Sequence, residues 1–287
     1  MKQRNLLVYT ILLILVFYFL NSTLIIEETI TYTELFITKL FPTSFLIYII
    51  SDLLINYNIT TLLNKKGHGA FLYITIMSML TGFPSGPKYA KDLLDKKLIS
   101  KDYANYLIMF THFPNPLFIL GSVSTIKGIN TLKLLIIIIL SNLLIAAIFK
   151  KKETITLPST TPTSFSKALS TGIYSSLKII ILIYGSCLFF TLIASILNKY
   201  LTMSPLLYTL TNMLFDLTKG IFSTPILKSN TLKELIILSA TIFGTLPIHI
   251  QIKSILDDAS LSYHKFLLGR TLSTIIALSI YFILTLF

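Results

Sequence analysis

The chain has 287 residues, of which 54 % are hydrophobic and 13 % charged, and its mean hydropathy is +0.79. Soluble domains carry roughly 25 % charged residues, so this composition excludes a soluble enzyme and a disordered chain. The single cysteine, Cys187, excludes a secreted disulfide scaffold and a cysteine-ligated metal. The net charge of +12 comes from 24 Lys+Arg against 12 Asp+Glu. All the cations but Arg4 and Arg270 are lysines, and they flank apolar runs, where they face lipid headgroups and set topology. A base-reading protein would favour arginine, so the expected partner is a lipid bilayer and not nucleic acid. Tryptophan is absent, which leaves the 15 tyrosines to form any aromatic belt.

In chain order, residues 6–26 form an uncharged run preceded by Lys2 and Arg4 and followed by Glu27, Glu28 and Glu34. The run is long enough to cross a hydrocarbon core of about 30 Å, and the leading cations place the N-terminus in the cytoplasm. It exceeds the apolar core of a signal peptide, so it is expected to be retained as an N-terminal transmembrane helix within 1–33. A second run, 40–55, contains Pro42 and Asp52, and Lys65, Lys66, Gly67, His68 and Gly69 follow as a basic turn. The runs 134–149, 179–197 and 271–287 carry no charge and are flanked by Lys133, Lys150, Lys178, Lys199 and Arg270. They read as complete crossings.

Three other segments are interrupted. The run 70–83 stops at Gly82, Pro84, Gly86 and Pro87; 103–126 is broken by Pro114 and Pro116; 235–252 contains Gly244 and Pro247. Proline inside a helix removes a hydrogen bond and costs about 3 kcal/mol. In lipid such a break persists only where protein or a wet cavity covers it, and paired Gly/Pro interruptions are the best sequence pointer to a transporter site. Residues 150–165, rich in Lys, Pro, Ser and Thr, read as a linker. It separates a first repeat at 34–149 from a second at 166–287. Shifting the chain by 163 positions superposes Pro84 on Pro247, Lys88 on Gln251 and Leu98 on Leu261. The expected fold is all-α, a polytopic transmembrane protein with broken or re-entrant helices and two related halves.

The stretch after the first break is amphipathic. Asp92 and Lys96 are spaced as an i,i+4 pair, and Ser100 is placed to cap the next helix. Lys88, four residues beyond Pro84, either snorkels to headgroups or faces an anionic ligand.

These residues also carry a resemblance. LFPTSFLIYIISDLL (40–54), TGFPSGPKYAKDLLDKKLIS (81–100), NPLFILGSV (115–123), FGTLPIHIQIKSIL (243–256) and YHKFLLGR (263–270) resemble the YlbJ-like sporulation integral membrane proteins. Those belong to the nucleoside-recognition Gate domain group, found also in concentrative nucleoside transporters and ferrous-iron permeases. The resemblance implies two gate-like halves, a role in spore formation in a Gram-positive bacterium and movement of a small solute. The chain departs from the pattern at Pro87, His112, Phe113, Pro114, Asn115 and Pro247, on or beside the polar groups best placed to touch a ligand.

The expected solute-binding residues are Ser85, Lys88, Asn115, His249 and Gln251, lining a path where the breaks meet. Gln251 and Asn115 both donate and accept, which suits a polar uncharged ligand; the bland reading is interhelical glue. His112 and His249 sit beside breaks, where a neutral ring donating to a freed carbonyl is the bland alternative. Asp52, near a helix end, is expected to reach the interface, and Asp216 lies in apolar surroundings. Four histidines without close spacing match no zinc site, and no catalytic motif is present, so neither cofactor nor metal is expected. The reading is a permease-like protein of the cell membrane. The alternative is a non-transporting scaffold that recruits partners, and a channel subunit or another oligomer is a third possibility.

Overall fold

In the computed structural model, residues 2–63, 68–152 and 163–286 are described. The expected basic turn at 65–67 and most of the expected linker, 153–162, lie outside them. Among the described residues every regular element is helical: α1 (Lys2–Leu20), α2 (Ser22–Leu35), α3 (Phe41–Asn56), α4 (Ile59–Leu63), α5 (Gly69–Thr81), α6 (Ser85–Asp95), α7 (Lys101–Leu107), α8 (Thr131–Ile148), α9 (Phe165–Tyr200), α10 (Pro205–Phe215), α11 (Leu217–Ser223), α12 (Asn230–Phe243), α13 (Leu246–Asp258) and α14 (Tyr263–Leu286). Four stretches are long and apolar enough to cross a membrane: Thr131–Ile148, Phe165–Tyr200, Asn230–Asp258 and Tyr263–Thr285. A fifth is possible where α1 and α2 bend through 91° at Asn21.

The expected N-terminal helix is therefore divided. Asn21 is buried and accepts from Lys199 Nζ at 2.8 Å and from Tyr200 Oη at 2.9 Å, which ties the bend to the end of α9. Beyond that tie α1 is exposed on nearly every side, at Leu6, Leu12 and Val16 among others. α2 runs on through a π-helical turn (Phe36–Leu40) into α3, where Pro42 sits in the first turn, the position at which its missing N–H costs least. α3 lies along α9, which at 36 residues is about 54 Å long, well beyond the reach of a bilayer core. α8, α12 and α14 form a second packed group, with Ile137, Ile138, Ile237, Leu238 and Ala277 fully buried between them.

Two helix pairs are joined through a glycine with φ near +90°. Gly82 (φ +83°) ends α5 and Gly244 (φ +99°) ends α12, in a region of backbone space essentially reserved for glycine. The pairs differ in direction. α5 and α6 fold back on one another, bringing the Tyr73 and Tyr89 rings to 6.0 Å and the Thr81 and Tyr89 hydroxyls to 2.8 Å; in a straight helix the two tyrosines would stand about 24 Å apart. α12 and α13 instead continue as one stretch of 29 residues.

After each junction the same turn follows. Lys97 N donates to Leu94 O and Leu98 N to Leu93 O; 163 positions on, Ser260 N donates to Asp257 O and Leu261 N to Leu256 O, all at 2.8–3.1 Å. Lys97 and Ser260 both adopt positive φ (56° and 52°), the left-handed close of a Schellman motif, and Leu93, Leu98, Leu256 and Leu261 are buried beneath it. α7 then begins at its Ser100 cap, whose side chain accepts from Tyr103 N at 3.1 Å. It ends at Leu107, before residues 111–115, which form no helix, whereas α14 runs uninterrupted to Leu286.

Candidate functional site

At the first junction the carbonyls that α5 leaves open find local donors. Ser85 N donates to Gly82 O at 3.1 Å and its hydroxyl donates to the same oxygen. Asn115 Nδ2 reaches Leu80 O at 3.1 Å, and its Oδ1 accepts from Leu117 N at 2.8 Å, so Pro114 and Pro116 frame an Asx turn that covers the end of α5. A Cβ on Gly82 would stand 2.9 Å from Asn115 N. At the second junction His249 Nδ1 pairs with Tyr263 Oη at 2.8 Å, and Gln251 Nε2 reaches Ser186 Oγ at 2.8 Å and Cys187 Sγ at 3.3 Å on α9.

One aromatic chain connects the two junctions. Phe83 stacks on His112 at 4.7 Å, His112 meets Phe266 edge-on at 5.5 Å, and Phe266 meets His249 at 5.8 Å. Arg270 stands over Phe266 at 5.7 Å. It is fully buried and donates from one end of its guanidinium to Met109 O at 2.5 Å, just beyond α7, and from the other to Ile242 O at 3.3 Å, at the end of α12. These carbonyls belong to the last turns before interruptions, where an α-helix leaves acceptors unmet. Gly269 makes the approach possible, because a Cβ there would overlap the Met109 carbonyl.

Buried atoms with no protein hydrogen-bond partner include His112 Nδ1 and Nε2 and Arg270 Nε in this chain, and Thr241 Oγ1 and Thr245 Oγ1 on either side of Gly244. Asn142 closes the far side, donating to His112 O at 3.3 Å and accepting from Ser273 Oγ at 3.3 Å.

Lys88 lies elsewhere. The fold-back of α6 buries it to 4 % exposure and sets its ammonium 2.5 Å from Asp52 on α3 and 2.7 Å from Asp92. Burial alone would lower its pKa, but Asp92 and Asp52 outweigh burial and hold it above the ordinary lysine value. Asp52 thus turns inward to a partner, where the sequence alone placed it at the interface. Asp92 pairs backward with Lys88 and not forward with Lys96, since only Lys88 shares its buried face. A cavity of about 330 Å³ between α3, α6 and α9 has Asp52, Asp92, Lys96 and Lys167 in its lining.

Of the sequence-derived candidates, Ser85, Asn115 and His249 sit at the junctions; Lys88 turns to α3 and Gln251 to α9. Arg270 and Asn142 join the site without standing among those candidates. Arg270 reads as a flanking cation beside the uncharged run 271–287, yet Ser262 Oγ accepts from Lys265 N at 3.3 Å and starts α14 eight residues earlier. That places Arg270 about 12 Å inside the helix, a signal available from the Ser/Tyr start. A search of family models, curated proteins and solved structures found nothing that matches this chain.

Proposed function

We propose that this protein is a multi-pass helical protein of the cell membrane, of permease type, that moves a small polar solute past the region where Gly82, Pro114 and Gly244 interrupt their helices. The observation that carries the reading is the set of buried, unpartnered polar atoms on His112, Thr241, Thr245 and Arg270. A buried polar atom left unpaired costs about 1–3 kcal/mol, and ionisable groups at membrane depth mark solute paths. A polar solute arriving between the junctions would meet these atoms.

The recurring break, helix and turn support reading 34–149 and 166–287 as related, gate-like halves. Lys150, Lys151 and Lys152 follow the end of α8 and Lys167 lies in the first turn of α9, and the positive-inside rule makes the end of α8 that they flank cytoplasmic. The resemblance to the YlbJ-like proteins supplies the sporulation context.

The test is uptake by proteoliposomes offered a panel of nucleosides and small anions. At least one solute accumulates above empty vesicles, and His112→Ala with His249→Ala reduces that uptake at least tenfold. Folded, correctly inserted protein that accumulates none of the panel overturns the reading. A second reading, a membrane scaffold without transport, is favoured by one observation: Ser85, Lys88, Asn115 and Gln251 already have protein partners.

A further inference from the structure

A second cavity, of about 590 Å³, lies between α5, α7 and α8, and none of the unpartnered atoms discussed above lines it. Its size falls in the range of about 300–1,000 Å³ typical of small-molecule sites, but its lining is unusual in being sorted by position. Phe71 and Leu72 of α5 and Leu143 and Ala147 of α8 supply an apolar wall. Tyr103 and Tyr106 of α7 line it as well, and the basic groups lie at helix ends: His68 immediately precedes α5, and Lys150 and Lys151 follow the end of α8. Among the described residues no carboxylate lines it and neither lysine makes an ion pair.

We infer that this groove binds an anionic phospholipid, with an acyl chain against the α5 and α8 walls and the phosphate at Lys150, Lys151 and His68. The source is a lipid and not a free phosphate, because the wall continues onto exposed apolar surface at Leu72 and Leu143, which no soluble ion would cover. Basic pockets between helices at the cytoplasmic face take anionic headgroups for the same reason, and the positive N-terminal end of the α5 dipole points the same way. The inference does not depend on whether the chain transports a solute.

The experiment measures lipid retained on detergent-purified protein by native mass spectrometry after exchange into mixed phosphatidylglycerol and phosphatidylcholine micelles. Wild-type protein retains the anionic lipid preferentially. Lys150→Gln with Lys151→Gln lowers that preference roughly 30-fold, taking about 1 kcal/mol per lysine near an anionic surface and about 1.4 kcal/mol per tenfold. Lys152→Gln, outside the lining, leaves it unchanged. Ala147→Trp, at an exposed position that tolerates bulk, removes retention of both lipids. The proposal fails if wild-type protein holds the two lipids equally, if the double variant keeps its preference, or if glycerol 3-phosphate alone displaces the lipid.

Discussion

The Gly82 and Gly244 junctions use the same backbone device and reach opposite results. Both end a helix at a glycine in a mirror-extended conformation and both lead to a helix closed by the same left-handed turn. α5–α6 doubles back; α12–α13 carries on. The difference follows from what each second helix must do with its charge. α6 places Lys88 on its inward face, where the ammonium needs carboxylates, and folding back brings it to Asp52. The first ionic pair of α13 is Lys253–Asp257, which is about half exposed and makes no demand on the path of the chain. The glycine is common to both junctions; the buried charge is not.

The largest break in this comparison is Lys88→Met. Removing one partner of a buried ionic group leaves the others unpaired and costs about 3–5 kcal/mol, read as loss of thermal stability in detergent. Lys253→Met in α13 removes an exposed pair worth about 0.3–0.5 kcal/mol. Equal losses would show that charge burial does not distinguish the two hairpins. The pH dependence carries a related expectation. Because the folded pKa of Lys88 is raised, its stabilisation is complete below the unfolded value of about 10.4 and is lost as pH rises through the folded value. Melting temperature should therefore fall on the alkaline side, and the Lys88→Met variant should lose that component.

Next in size is Arg270→Met, which withdraws a charged donor from Met109 O and Ile242 O together. A stranded carbonyl costs about 1–3 kcal/mol; with the Ile242 contact long at 3.3 Å and so near the lower end, the two together come to about 2–4 kcal/mol. Arg270→Lys rescues little, since an ammonium lacks the fork that spans two acceptors. If Arg270→Lys melts like wild type, the guanidinium does not join the ends of α7 and α12.

How much of this could be read beforehand varies with the reach of the interaction. The apolar runs, the interruptions at Gly82 and Gly244 and the Ser100 cap are local, and the residues involved stand within a few positions of one another. The bend at Asn21 is not, because its anchors, Lys199 and Tyr200, are remote in sequence and nothing in residues 6–26 reports them. Lys88 finds Asp52 only once α6 has doubled back, so the forward spacing of Asp92 and Lys96 misled. Arg270 was hidden by the habit of reading a cation beside an apolar run as its boundary, although the Ser262 start of α14 puts it inside. The expected solute residues divided for a similar reason: Lys88 and Gln251 stand on equivalent turns of α6 and α13, and each helix presents that turn to a different neighbour.

The glycines themselves separate the junctions by a smaller margin. Gly82→Ala meets both an unfavourable φ and the Asn115 backbone at 2.9 Å, whereas at Gly244 the nearest atom is the His249 ring at 3.3 Å. Strain of this kind costs about 1–3 kcal/mol. Gly82→Ala should fall at the upper end and Gly244→Ala at the lower in the same melting assay, with the reverse order refuting the packing assigned to the Asn115 turn.

The smallest effect examines what the two regions share. Lys97 and Ser260 hold positive φ without being glycine, a conformation that costs an ordinary residue about 1–2 kcal/mol and glycine little. Lys97→Gly and Ser260→Gly should each stabilise the protein, by less than that figure because glycine also loosens the unfolded chain. The informative quantity is the sign at both sites. If the turns are equivalent closures of equivalent helices, both substitutions raise the melting temperature. If one raises it and the other lowers it, the hydrogen bonds recurring 163 positions apart are a local coincidence of helix endings, and the case for two related halves loses its structural half.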